Sequence, residues 1–229
     1  HGDYRDWAEE HFGNKDQDHL RIPVHPLQWR RLKELLPPTL LSRITLCSQE
    51  GPSGQALASF RTIGLGQLPY HLKLPLRVQT TSAPRLLSPM SVENGPRLSA
   101  WLEELWAQEP RLHAIQVLFE RRSAGLRLEN EGHLNAELGV LVRDSAASQL
   151  PDDASSSVAA LLSELPFQSH AFIQSLLRSN DLAAFIQEYI ERLVPPLLWL
   201  CTAYGIVLEA HLQNTLIIRT GEDPLRFMI

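Results

Sequence analysis

The sequence predicts an α+β fold, in which an antiparallel β-sheet region with flanking helices is followed by a mainly helical region that ends in strands. Polar and apolar residues alternate from Tyr70 to Thr80, as in a strand with one buried face. Short turns rich in glycine and proline, such as Gly51–Gly54, separate the candidate strands and favour antiparallel pairing. A stretch rich in Ser, Ala and Asp at 145–157 precedes helical periodicity, which places a boundary near residue 150.

Each predicted strand is a short apolar or alternating run bounded by turn residues. The predicted strands are Ser42–Ser48, Ala56–Leu65, Tyr70–Thr80, Ala114–Glu120 and Ile206–Ile218, with two short elements in Leu126–Arg143.

The predicted helices follow from apolar residues three and four apart. Residues 1–20 are predicted to form a short helix or an ordered arm. Leu182–Tyr204 is a helix that Pro195 and Pro196 should kink or break, with Gly205 as its C-terminal cap. The other predicted helices are Trp29–Leu36, Leu98–Gln108 directly after Gly95-Pro96, Ser157–Leu165 and Ser169–Arg178.

The composition is that of a folded protein and excludes several functional classes. The chain has 229 residues, of which 44% are hydrophobic and 21% charged, enough for one or two domains with a core. The net charge of −5 argues against a nucleic-acid-binding protein, and no apolar run approaches the length of a membrane span. Cys47 and Cys201 lack metal-binding spacing, which predicts free thiols in a reducing compartment.

A concentration of cations and hydroxyl groups between residues 58 and 85 is the most informative local feature. Leucines occupy one face of the strand around Lys73, so Lys73 and His71 take the other face. An antiparallel hairpin can bring Arg61 and Lys73 together, an arrangement that is unfavourable unless an anion lies between them. The cations and hydroxyl groups of this region belong to Ser59, Arg61, Lys73, Thr81 and Arg85. Together they could bind a triphosphate or a polycarboxylate. Alternatively, they form the solvated polar face of a half-covered sheet.

A second polar group lies near the C-terminus. Glu209, His211 and Gln213 alternate with apolar residues and would share one face of the predicted strand, and Asn214 follows them. A carboxylate, an imidazole and amides could bind a metal, a carboxylate ligand or a Mg²⁺-bound phosphate, and a purely structural role for His211 is the alternative.

Several motifs for nucleotide binding and covalent catalysis are absent from the sequence. It contains no Gly-x-x-x-x-Gly-Lys-Ser/Thr loop and no Gly-x-Gly-x-x-Gly fingerprint. It also contains no serine nucleophile elbow and no Cys-x-x-Cys pair, so acyl transfer through a covalent Ser or Cys is disfavoured.

Five short segments occur in a characteristic order along the chain: Val24–Trp29, Ser59–Thr62, His71–Leu76, Thr80–Arg85 and Gly205–Asn214. In this order they resemble the motifs of the NRPS-independent (aerobactin-type) siderophore synthetases, and Gly95-Pro96 before a helix fits the same pattern. The resemblance extends from about residue 21 to the C-terminus. It departs from the family pattern at Ser82, where asparagine is usual, and at Leu212, where glycine is common.

The resemblance implies roles for individual residues. Arg61, Lys73 and His211 would be the catalytic residues. Ser59, Arg61, Thr62 and Lys73 would bind the ATP phosphates, with Asn214 also in the nucleotide site. Thr81, Arg85 and His211 would bind the carboxylate of the substrate, and Glu209 would help to place Mg²⁺.

The same resemblance implies an ATP- and Mg²⁺-dependent ligase acting in the cytoplasm. Such an enzyme adenylates a carboxylate of citrate or a related acid and condenses it with an amine, hydroxylamine or alcohol. Residues 1–150 would be the fingers-like nucleotide- and substrate-binding region, and 151–229 the beginning of a palm-like helical region. The chain would be the central fragment of the enzyme, binding ATP weakly and inactive alone, with a homodimer possible and no nucleic-acid or membrane partner.

Two other functional classes are compatible with parts of the sequence. A non-catalytic anion-binding or interaction module would use the cationic strands as a docking surface. A metal-dependent hydrolase would need more carboxylates near His211 than Glu209 alone.

Overall fold

A computed structural model describes residues 3–13, 19–47, 51–57, 59–66, 68–79, 84–150, 155–157, 173–177, 181–212, 214–220 and 223–229. The helices are α1 (Tyr4–Phe12), α2 (Pro26–Leu35), α3 (Pro38–Leu41), α4 (Pro89–Gln108), α5 (Ala146–Gln149), α6 (Ile173–Leu176) and α7 (Leu182–Tyr204), with short 3₁₀ turns at Pro110–Leu112 and Gly132–Leu134.

The strands form three sheets. The strands are β1 (Gly54–Ala56), β2 (Thr62–Leu65), β3 (Tyr70–Lys73), β4 (Leu76–Gln79), β5 (Pro84–Arg85), β6 (Ile115–Gln116), β7 (Glu120–Gly125), β8 (Gly139–Asp144), β9 (Ser155–Ser157), β10 (Leu216–Ile218) and β11 (Arg226–Met228). A five-stranded antiparallel sheet has the order β1-β2-β3-β8-β7, and β4 pairs with β5. A four-stranded sheet has the order β6-β11-β10-β9, in which only the pairing of β6 with β11 is parallel. The predicted α+β class with an antiparallel sheet is confirmed.

The contacts divide the chain into two compact units. The N-terminal unit comprises His1–Leu102 and Phe119–Ser148, and the C-terminal unit comprises Glu103–Leu118 and Gln149–Ile229. The functional division at residue 150 stays a prediction.

In the N-terminal unit, α1 covers one face of the five-stranded sheet. Tyr4 and Trp7 of α1 are buried against Leu72 of β3 and Val140 and Val142 of β8. These side chains form an apolar core because alternate residues of each strand point to the same face. The core therefore leaves the intervening residues of β3 and β8 on the other face of the sheet.

In the C-terminal unit, α7 packs on the four-stranded sheet. Phe185 and Leu193 of α7 are buried with Ile217 and Phe227 of the sheet. Helix α7 ends at Gly205, whose φ of 68° is in the left-handed region that glycine adopts without steric cost. The predicted bounds of this helix and its glycine cap are confirmed.

Several predicted strands differ from the structure. The predicted strand Ala56–Leu65 is a hairpin made by the end of β1 and by β2. The predicted strand Tyr70–Thr80 is divided into β3 and β4 at Leu74-Pro75, where proline has no N–H for a sheet hydrogen bond. The predicted strand Ser42–Ser48 is wrong over its described residues, 42–47. Leu41 and Ile44 instead belong to a hydrogen-bonded turn that packs near α2. Likewise, Ala114–Glu120 is not one strand, since β6 ends at Gln116 and β7 begins at Glu120.

The helices can also be compared with prediction at their prolines. Helix α2 begins at Pro26, earlier than predicted, because His25 Nδ1 accepts a hydrogen bond from Leu27 N–H and caps it. Gly95-Pro96 lies inside α4 and does not precede it. Pro195 and Pro196 do not break α7, which remains one helix through both. Most of the predicted helices Ser157–Leu165 and Ser169–Arg178 lies outside the described residues, with Ser157 in β9 and Ile173–Leu176 helical.

Two exclusions based on the sequence can be compared with the structure. Within the described ranges, no helix has the length and apolar character required to cross a bilayer. Cys47 and Cys201 are both free and exposed.

Candidate anion-binding site

Part of the face of the five-stranded sheet opposite α1 is polar and positively charged, next to an apolar cluster of Leu87, Val92 and Leu141. Strand register places His71 beside Arg143 and Lys73 beside Thr62, while Glu120 lies on the far side of Arg143. Leu72 and Val142, the intervening residues, point into the apolar core. We call the set Thr62, His71, Lys73, Glu120 and Arg143 the cationic face.

Lys73 is held by an ion pair on this face. Its Nζ lies 3.0 Å from Glu120 Oε1, and both side chains are less than one-third exposed. Glu120 is in turn positioned by α4, where Ser99 Oγ accepts a hydrogen bond from Glu120 N–H. A Cβ at Gly95 would come within 2.3 Å of Glu120 Oε2, so glycine leaves room for the carboxylate. The antiparallel β2–β3 hairpin expected around Lys73 is confirmed, but its acidic partner was not anticipated.

The turn between β1 and β2 carries the Ser-x-Arg-Thr segment. Ser59 Oγ donates to Thr62 Oγ1 over 2.8 Å, and Arg61 N–H donates to the Ser59 carbonyl over 2.7 Å. Phe60 adopts a φ of 59°, which is uncommon for a residue other than glycine. Ser59 and Arg61 therefore lie in a turn between two strands and not within the single strand predicted for Ala56–Leu65.

The Arg61 side chain approaches the cationic face from this turn. Its Nη1 donates to the Leu86 carbonyl over 2.9 Å. Burial lowers the pKa of Arg61, the nearby cations of Arg85 and Arg143 lower it further, and Glu120 opposes them. Arg61 therefore lies within electrostatic range of Arg143 and Glu120 of the cationic face, and of Arg85.

His71 and Arg143 are adjacent members of the cationic face that lack hydrogen bonds at buried atoms. His71 Nδ1 and Arg143 Nε are buried and have no hydrogen-bond partner within the described structure. Burial and then the Arg143 charge lower the pKa of His71 to about 4, so the imidazole is neutral at pH 7. Burial also lowers the pKa of Arg143, and Glu120 partly offsets this. Positive charge on this face is thus incompletely balanced by protein groups.

The Thr80–Arg85 segment is only partly described. Arg85 lies in β5 and pairs across the hairpin with Leu76 of β4. Its charge is close enough to Arg61 to lower the pKa of that guanidinium. Thr81 and Ser82 lie outside the described residues.

The C-terminal motif adopts turns in place of the predicted strand. His211 N–H donates to the Glu209 carbonyl, and the N–H groups of Asn214 and Thr215 donate to the His211 carbonyl, at 2.9–3.1 Å. Strand β10 begins only at Leu216, so the predicted alternation of side chains is wrong over the described residues 209–212. Glu209, His211 and Asn214 are exposed, and Gln213 lies outside the described residues. Their participation in one site with Arg61 stays a prediction.

Among the residues that the structure describes, no group of three His, Cys, Asp or Glu side chains is arranged to hold a metal ion. A carboxylate such as Glu209 could contribute one oxygen ligand to a Mg²⁺ ion that is bound mainly by nucleotide phosphates and water.

Glu120 and Arg143 are the residues that sequence reasoning missed. A signal for Arg143 was present in β8, where Val140 and Val142 are apolar and Arg143 falls on the alternate face. That signal becomes useful only when β8 is known to lie beside β3, a pairing between segments about seventy residues apart.

Comparison with known proteins gives the family. Residues 3–163 match the IucA / IucC family, and residues 183–229 match the ferric iron reductase FhuF-like transporter family. Staphyloferrin A synthase of Staphylococcus aureus is 29% identical over 238 residues, covering 95% of this chain and 37% of that protein.

Solved structures share the fold. The petrobactin biosynthesis protein AsbB of Bacillus anthracis superposes with a TM-score of 0.83 at 22% identity, covering 99% of this chain and 42% of that one. ATP-bound aerobactin synthetase IucA of a hypervirulent Klebsiella pneumoniae pathotype gives a TM-score of 0.70 at 23% identity, covering 90% of this chain and 40% of that one.

The family match covers most of the chain, and the chain belongs to the IucA/IucC family. The resemblance to siderophore synthetases that the motifs indicated is confirmed. The chain spans about two-fifths of the length of these relatives.

Proposed function

We propose that this chain is part of an ATP-dependent siderophore synthetase that activates a carboxylate of citrate or a related acid. The observation that carries the proposal is the cationic face, which Arg61 approaches, in a member of the IucA/IucC family. A ligand-free protein gains nothing from gathering half-buried cations, whereas a polyphosphate would offset their mutual repulsion. The names of the relatives, which include synthases and an ATP-bound synthetase, support the same function.

In the first step, the substrate carboxylate attacks the α-phosphorus of ATP, an acyl-adenylate forms and pyrophosphate leaves. Two anions must approach each other, so fixed cations that neutralise the phosphates lower the barrier electrostatically. Arg61 and Lys73 are the groups that we assign to this task, with hydrogen bonds from Ser59 and Thr62 at the turn. In the second step, an amine, hydroxylamine or alcohol attacks the acyl carbon, AMP leaves, and an amide or ester forms.

The substrate carboxylate is assigned to a second group of residues. We propose that Thr81, Arg85 and His211 bind it, Arg85 through its planar guanidinium. Glu209 and Asn214 would help to place Mg²⁺ or nucleotide. Mg²⁺ would neutralise further phosphate charge when bound.

The remaining features of the proposal concern the whole protein. Residues 1–150 would provide the nucleotide and substrate site and residues 151–229 the beginning of the palm-like region. The protein would act in the cytoplasm on small acids and amines, and a homodimer is compatible with it. The 229 residues alone would bind ATP weakly without turnover.

The test is citrate-dependent exchange of pyrophosphate into ATP by the complete natural polypeptide that carries this sequence. Arg61→Ala and Lys73→Ala should each reduce exchange at least about 100-fold, the loss typical of removing a group that stabilises transition-state charge. Lys33→Ala, which changes an exposed lysine of α2, is the matched control and should leave exchange unchanged.

Two results would contradict the proposal in different ways. Normal exchange in both site variants would remove Arg61 and Lys73 from the reaction. Binding of ATP by the wild-type polypeptide with no exchange for any carboxylic acid would instead indicate a non-catalytic anion-binding module.

A further inference from the structure

Arg143 lies in the middle of the cationic face and belongs to none of the motifs that carry the family resemblance. It is on β8, directly between His71 of β3 and Glu120 of β7 in the register of the sheet. Lys73 and Arg61 approach the same group of charges from β3 and from the β1–β2 turn. Arg143 therefore lies on the central strand of the region to which we assign the phosphates.

Two other half-buried arginines of this protein, by contrast, have carboxylate partners. Arg121 makes a two-pronged contact with Asp144 at 2.7–3.0 Å, and Arg219 Nη2 lies 2.9 Å from Glu188. Arg143 has no such ion pair within the described part of the chain, although it is more buried than Arg61. Glu120 is close enough to favour its charge, but the hydrogen-bonded cation of Glu120 is Lys73.

The unsatisfied donor is the second observation. Arg143 Nε is buried without a partner, and so is Nδ1 of its cross-strand neighbour His71. Native proteins satisfy nearly all buried polar atoms, and an exception requires an explanation such as an ordered water, an ion or a catalytic role. Arg143 Nε is a donor, and its position beside a second unpartnered atom on the same charged face favours a ligand that accepts a hydrogen bond from Arg143.

We propose that Arg143 is a further phosphate-binding residue, whose guanidinium contacts the nucleotide polyphosphate from the middle of the cationic face. A phosphate oxygen would satisfy Nε and a neighbouring Nη together, the geometry in which guanidinium binds phosphate best. This inference rests on the proposed function and adds to it a binding residue from outside the family motifs. Arg61 of the β1–β2 turn, Lys73 of β3 and Arg143 of β8 would then all contact the polyphosphate.

The test measures binding of inorganic pyrophosphate and of ATP to the 229-residue chain by calorimetry and by thermal unfolding. Arg143→Met should weaken pyrophosphate binding at least 10-fold. The same variant should unfold at a higher temperature than the wild type without ligand, because a buried and poorly compensated cation has been removed. A structural arginine would show the opposite, a lower unfolding temperature with unchanged affinity.

A matched control is available on the other face of the same sheet. Arg122 of β7 also has a buried Nε without a partner in the described structure, but it pairs with Val142 and lies near the Tyr70 ring. Arg122→Met should leave pyrophosphate affinity unchanged. Arg143→Lys keeps the positive charge but loses the planar guanidinium, so it should bind pyrophosphate several-fold more weakly than the wild type. This variant replaces Arg143→Met in the test if the methionine variant does not fold.

The outcomes separate this inference from the proposed function. If wild type binds pyrophosphate and ATP and both Arg143 variants bind equally well, Arg143 is not a phosphate-binding residue, while the ligase proposal stands. Failure of the wild-type chain to bind either probe at millimolar concentration would overturn the phosphate assignment as a whole, Arg143 included.

Discussion

Replacing Glu120 with glutamine removes the negative charge that accompanies Lys73 and preserves the size of the side chain. At the observed 3.0 Å, the gross attraction is about 5.5 kcal/mol for an effective dielectric constant near 20. Desolvation and side-chain ordering cancel much of it, and a hydrogen bond between charged groups contributes about 1.5–3 kcal/mol net. Because the side chains of Lys73 and Glu120 remain 27% and 21% exposed, we expect a loss near the lower end, about 2 kcal/mol in the free energy of unfolding.

Urea unfolding of the chain measures this loss, and Glu93→Gln is the matched control. Glu93 pairs with Arg97 over 3.4 Å on the exposed side of α4, so its replacement should change the free energy of unfolding by less than about 0.5 kcal/mol. Added pyrophosphate should stabilise Glu120→Gln more than the wild type, since the anion replaces the missing charge. Equal losses for the two glutamine variants, with equal stabilisation by pyrophosphate, would refute the account of Glu120 as the counter-charge of this face.

Two further predictions concern neighbouring residues. The pKa of His71 is lowered to about 4 in the folded chain. As pH falls from about 6.5 to 4, His71 therefore becomes protonated in the unfolded chain but stays neutral in the folded chain. Stability should therefore decline over this window, and less so for His71→Gln; an NMR titration midpoint for His71 near its ordinary value would contradict this. Phe60→Gly should raise the free energy of unfolding by about 1 kcal/mol, because it relieves a positive φ at an exposed side chain, whereas Phe60→Ala should not. Equal urea midpoints for these two variants would show that the turn is unstrained.

Elements with long, regular patterns could be predicted from the sequence, and interruptions could not. Helix α7 has its predicted bounds because its apolar period continues over 23 residues and a glycine follows it. The predicted strand Ala56–Leu65 failed because the turn inside it had no strong sequence signal. The β1–β2 connection includes Phe60 in a conformation usually taken by glycine, so the pattern did not indicate a turn there.

The candidate site shows the same division between local and distant information. Arg61 and Lys73 could be chosen because they lie twelve positions apart in a hairpin, where sequence order implies proximity. Glu120 and Arg143 join them only through the pairing of β3, β8 and β7, which depends on contacts distant in sequence. The position of the C-terminal motif could be predicted from the sequence, but its backbone conformation could not. Backbone hydrogen bonds within 209–215 form turns in place of the strand that the alternation of polar and apolar residues indicated.

The segment between α7 and β10 is anchored at both ends. At its start, Gly205 N–H donates to the Cys201 carbonyl and Ile206 N–H to the Leu200 carbonyl, which fixes the direction in which the chain leaves the helix. At its end, Thr215 is buried and β10 follows immediately. Only about ten residues connect these anchors, so the backbone has few alternative paths and a ligand that contacts Glu209, His211 or Asn214 would have little chain entropy to remove. Lengthening this connection by a few glycines should weaken binding without altering any contacting side chain.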